Sequence, residues 1–80
     1  MMREKYEDRL RMMQGRAVRF YFAGGTQVIG QLAECRPVDG VVELALLRDA
    51  EVISMAGDVL LRTSELSLPT GRLERYEDLH

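Results

Sequence analysis

The apolar positions of this chain follow a helical rhythm at its start and then change to alternation. Met2, Tyr6, Leu10 and Met13 succeed one another at intervals of four, four and three, which puts them on one helical face with Arg3, Glu7 and Arg11 elsewhere. The spacing predicts an amphipathic helix over 2–14, stopped at Gly15, where a left-handed cap is easiest for glycine. From Ala17 the period is two: Val18, Phe20 and Phe22 alternate with Arg19, Tyr21 and Ala23, as in a strand with one buried face. Gly24-Gly25 then turns the chain back, so Thr26 to Cys35 should lie antiparallel beside the first strand. Val28, Gly30 and Leu32 share a face of this return strand, and a glycine inside a strand marks a sharp bend of the kind that closes a small barrel.

Farther along, Arg36 to Gly40 combines proline, aspartate and glycine and reads as a turn before a third, nearly all apolar strand from Val41 to Leu47. Arg48 to Glu51 reads as a polar connection, Val52 to Met55 as resumed pairing, Gly57-Asp58 as a bend, and Val59 to Leu61 as a buried strand. Thr63-Ser64-Glu65 reads as a one-turn connection to a short last strand, Leu66 to Leu68, which Pro69 ends. The expected domain therefore covers 1–69, and the polar tail 70–80 is expected to be disordered or at most a loose second helix. Arg75-Tyr76-Glu77-Asp78 echoes Lys5-Tyr6-Glu7-Asp8, but four residues do not establish a repeat.

Composition narrows the chemistry. With 80 residues the chain encloses one core, and domains this small often draw stabilisation from a disulfide, a metal or a partner. Cys35 is the only cysteine and His80 the only histidine, so neither a disulfide nor a cysteine- and histidine-rich metal site is expected, and no cofactor is implied. A partner is the remaining route. The net charge of −2 comes without a basic block to grip a phosphate backbone, and the reading expects neither a signal peptide nor a membrane anchor. A free thiol then points to the cytoplasm and nucleus.

A helix followed by about five short strands, the second bent at glycine, resembles the Sm and Sm-like family. Its first motif is matched by Val18, Phe20, Phe22, Gly25, Gly30 and Leu32; its second, an apolar pair before Arg-Gly, by Leu60-Leu61-Arg62, with Thr63 in place of the glycine. Within the family the chain is similar to the Sm-like Gemin subunits of the SMN complex, which assembles spliceosomal snRNP cores. That likeness runs from Arg3 to about Leu68 and rests on Arg3-Glu4-Lys5-Tyr6, on Met12-Met13 before Gly15, on Val18 and Phe20, and on Leu60-Leu61-Arg62 with Ser64, Leu66 and Ser67. The fold it implies is mainly β: an N-terminal α-helix and a strongly bent five-stranded antiparallel Sm-like barrel.

The resemblance also implies what such a chain does. In Sm rings the fourth strand of one subunit pairs with the fifth of the next, so one edge is expected at Asp58, Val59, Leu60, Leu61 and Arg62, and the other at Leu66, Ser67 and Leu68. The implied partner is another Sm-like protein of the sixth Gemin's type, joined as a heterodimer. The eighth Gemin and the SMN complex are implied neighbours, reached through the helix residues Tyr6, Leu10, Met12 and Met13; the simpler role of that stripe is to cap the barrel. RNA-binding members clamp a base between an aspartate and asparagine after the second strand and the Arg-Gly turn. Here no asparagine occurs anywhere, and only Arg36 and Arg62 are available for the alternative, a ring that binds uridine-rich RNA. Arg62 has the plainer reading of a surface ion pair. Cys35 lacks a histidine to activate it, and Glu43, Asp49, Glu51 and Asp58 have no spacing that selects a catalytic pair, so no enzymatic activity is expected.

Overall fold

The computed structural model describes residues 12–38 and 42–79. Five strands form one antiparallel sheet: β1 (Ala17–Phe22), β2 (Gln27–Val38), β3 (Val42–Ile53), β4 (Val59–Pro69) and, after a 3-10 turn at Thr70–Arg72, β5 (Leu73–Asp78). Their order across the sheet is β4-β3-β2-β1-β5. Most of the predicted helix, Met2 to Arg11 with Tyr6 and Leu10, lies outside the described residues. Gly15, where the helix was expected to stop, has a left-handed φ of 86°. Gly15 N–H donates to the Leu32 carbonyl at 2.6 Å and Gln14 Oε1 accepts from Cys35 N–H at 3.0 Å, which ties this turn to β2.

Alternation decides the core. Val18 and Phe20 of β1, Val28 and Leu32 of β2, and Ala45, Leu47 and Ala50 of β3 are buried, joined by Met13. The β1–β2 hairpin turns at Gly24 and Gly25, both with φ near 90°, as the glycine pair requires.

The sheet bends because three strands bend together. In β2 the bend falls at Gly30, where an added Cβ would lie 3.1 Å from the Arg48 carbonyl oxygen and 3.2 Å from Ala50 Cα. Opposite it, Asp49 of β3 takes φ 51°, and the β2–β3 register shifts between Ile29 and Gln31. In β4 the inward face passes from Thr63, opposite Ala50, to Leu66, opposite Leu47, so the alternation breaks around Ser64 while the register with β3 is kept. Gly30→Val is therefore expected to cost about 1–3 kcal/mol, because its contacts are backbone atoms that cannot swing aside. A urea midpoint equal to the parent's would contradict this account of the bend.

Several sequence expectations are corrected. Arg36, Pro37 and Val38 belong to β2 rather than to a turn, pairing with Leu44, Glu43 and Val42. Arg48 to Glu51 does not interrupt β3: the polar residues face outward or sit in the bulge, while Ala50 stays buried. Thr63 to Glu65 is likewise a bend inside one continuous β4, so Leu66, Ser67 and Leu68 are not a separate last strand. The last strand lies in the expected tail: Arg19, Phe20 and Tyr21 of β1 pair with Glu77, Tyr76 and Arg75. Tyr76 and Leu73 pack against the core from there, so the domain extends past Pro69.

Candidate partner interface

Among the described residues, two strands have one neighbour each, β4 at one side of the sheet and β5 at the other. Each leaves a row of backbone N–H and C=O groups facing outward. The sheet curls without closing, and between β1 and the C-terminal half of β4 it leaves an apolar cavity of about 520 Å³ lined by Phe22, Val28, Val52, Leu66 and Leu68.

The N-terminal half of β4 is apolar and exposed. Val59, Leu60 and Leu61 keep 45%, 63% and 48% of their surface in solvent, against the buried strand expected from their hydrophobicity. The reason is position: they extend past the core at the free edge, where only β3 flanks them. Three successive large apolar residues on an unpaired edge invite another strand. Asp58 precedes β4 and closes the β3–β4 hairpin, its backbone N–H donating to Ser54 Oγ at 3.1 Å while its carbonyl accepts from Ser54 N–H at 2.8 Å.

The second edge is β5, which sequence reasoning missed. Its anchors are side-chain contacts to β1 and the residue before it: Tyr21 O–H donates to Glu77 Oε1 at 2.6 Å, the Arg75 guanidinium stacks 3.8 Å over the Tyr21 ring, and Arg16, just ahead of β1, meets Asp78 at 2.7 Å. No clean alternation marked it: the core-packed Leu73 and Tyr76 lie three apart among polar neighbours, across a shift in the β1–β5 register. Leu66 and Leu68, expected to form this edge, instead turn inward from the C-terminal half of β4, and Ser67 is exposed between them.

The residues proposed for RNA are not brought together. Arg36 lies on β2 and pairs with Glu34 at 3.2 Å; Arg62 lies within β4 and pairs with Glu51 at 2.7 Å. Arg36 is opposite Leu44, itself opposite Pro69, so the two arginines belong to opposite ends of β4. Arg62 is accordingly not in a turn. The turn that follows β4 is Thr70-Gly71-Arg72, packed against β3. Before Gly15, Met13 is buried in the core whereas Met12 is 79% exposed.

No family model matches the sequence, and no curated protein matches it. Among solved structures, an Sm protein of Pyrococcus abyssii in complex with a uridine heptamer is similar, with a TM-score of 0.70 at 18% identity over 89% of this chain and 93% of that one. A five-stranded antiparallel sheet in the order β4-β3-β2-β1-β5, bent through β2, β3 and β4 and similar over nearly its whole length to that structure, gives this chain the Sm-like fold.

Proposed function

We infer that this chain is a noncatalytic Sm-like subunit that acts by completing its sheet with a strand from a neighbouring Sm-like subunit. The observation that carries this reading is the exposed apolar edge Val59-Leu60-Leu61 on a strand with one free side. Strand addition satisfies the free backbone groups and removes that apolar surface from water in one step. β5 offers a second edge for a further neighbour.

Two finer readings divide on what is assembled. In the first, the chain is the counterpart of the seventh Gemin: it heterodimerises with a subunit like the sixth, lies near the eighth, and supports snRNP core assembly by the SMN complex in cytoplasm and nucleus. The Leu60-Leu61-Arg62 phrase, the lack of asparagine and the engagement of Arg62 with Glu51 support it. In the second, the chain forms a ring that binds uridine-rich RNA. The similarity to an Sm protein bound to a uridine heptamer speaks more directly for this one, and the Gly71-Arg72 turn supplies a cation beside β3.

Size measurement of the chain alone and with an Sm-like partner tests the common reading; a monomer indifferent to every such partner would overturn it. Titration with oligouridine separates the finer ones. Tight, sequence-selective binding that Arg72→Ala weakens supports the ring, whereas weak binding lost at moderate salt supports the assembly subunit. Leu60→Lys is expected to abolish assembly at the β4 edge while leaving the urea midpoint within about 0.5 kcal/mol of the parent, since the site is exposed. Assembly unaffected by this lysine would exclude β4 as the interface.

A further inference from the structure

The bend in β4 gives its free edge an approximate twofold symmetry. On either side of Thr63 and Ser64 the strand leads away in two arms, one pairing with Ala50 to Ile53 and the other with Leu44 to Arg48. Because the alternation breaks around Ser64, Arg62 and Glu65 face the same outer side, opposite Glu51 and Arg48, although they are three positions apart. Leu61 and Leu66 face the inner side in the same way, opposite Val52 and Leu47. Arg62 is 73% exposed at its side chain, and Glu65 is exposed as well.

We propose that the β4 edge takes a second copy of this chain, pairing β4 antiparallel with β4 about a twofold axis through Thr63 and Ser64. The proposal rests on the strand-addition reading and names one partner for that edge. A half-turn about the normal to the sheet keeps outer face with outer and inner with inner, and it carries a strand bent at its centre onto itself. Pairing centred elsewhere would set the arm of one strand against the bend of the other.

The chemistry agrees with this register. Arg62 of each copy then faces Glu65 of the other, which gives two opposite-charge pairs; Leu61 faces Leu66, which gives two apolar ones; and Thr63 faces Ser64 at the centre. A slip by two residues, the smallest that keeps the inner face inward, separates both charge pairs and both leucine pairs. Such a dimer covers the same edge that an Sm-like partner would use, so the two assemblies exclude each other.

Sedimentation of the full chain across micromolar to millimolar concentration, with Arg62→Glu, Glu65→Arg and the double variant, tests the proposal. The parent is expected as a monomer–dimer equilibrium. Each single reversal is expected to weaken it by roughly tenfold, since two symmetric attractions become repulsions. The double variant is expected to regain dimerisation, and the two single variants mixed are expected to form a heterodimer better than either self-associates. A urea curve for each confirms that the fold is retained. A parent that stays monomeric, a dimer indifferent to both reversals, or closed rings of several copies would each overturn the twofold pairing. The strand-addition reading fails separately, if the chain stays indifferent to every Sm-like partner.

Discussion

A chain shortened to end at Pro69 is expected to lose most of its folding stability. β5 is then absent, and with it the pairing to β1, the half-buried Leu73 and Tyr76, and the Tyr21 hydrogen bond to Glu77. The inner face of β1 also suffers, because Tyr76 lies opposite Phe20, which is fully buried in the intact chain. Two partly buried side chains and renewed exposure along β1 amount to roughly 3–5 kcal/mol at about 25 cal/mol per Å² of apolar surface. A domain of this length holds roughly 4–12 kcal/mol in all. Urea unfolding at one fixed protein concentration measures the difference, the concentration being held because association also stabilises. Equal midpoints for the shortened and full chains would mean that residues 70–80 are the loose tail their polarity suggests.

Phe20→Ala is expected to cost about 3–5 kcal/mol, the usual cost of emptying a buried phenylalanine site. Phe20 has no exposed surface and meets Phe22 edge to face, with ring centroids 6.3 Å apart at 78°. The cavity left would be bounded by β strands whose spacing is set by backbone hydrogen bonds, so it has little freedom to collapse. Leu60→Ala makes the informative contrast: the residue is equally apolar but 63% exposed, and its loss is expected to change stability by no more than about 0.5 kcal/mol. A costly Leu60→Ala in the isolated chain would place that leucine in a core, and would remove the apolar edge on which the functional reading depends.

Much of the architecture was legible because it depends on local rules. Alternation over Val18 to Phe22, the Gly24-Gly25 turn, the left-handed Gly15 and the bend at Gly30 were all readable, since each reflects a conformational preference of the residues present. The strand boundaries past Leu47 were not. Arg48 to Glu51 and Thr63 to Glu65 look like connections in a linear reading, because polar residues and broken alternation mark loops as well as bulges. Only the neighbouring strand distinguishes the two: Asp49 sits where the β2–β3 register shifts beside Gly30, and β4 keeps its register with β3 straight through Thr63 to Glu65.

The candidate interface divides in the same way. Its β4 half was marked by Val59, Leu60 and Leu61, although hydrophobicity alone assigned them to a buried strand. Burial is a property of what lies on both sides, and among the described residues the strand order puts only β3 beside β4. Its β5 half was hidden, because Glu74, Arg75 and Glu77 read as solvated tail until β1 supplies Tyr21 as partner.

What the sequence by itself determined is the set of local elements: an alternating β pattern, its glycine turns, one core's worth of apolar residues and the absence of a histidine or cysteine cluster. What only the tertiary structure decided is which apolar strand stays in water, which polar segment becomes the fifth strand, and that Arg36 and Arg62 lie apart. The physical reason is that edges, bulges and neighbours are relations between strands far apart in the chain, and periodicity within one strand carries no information about them.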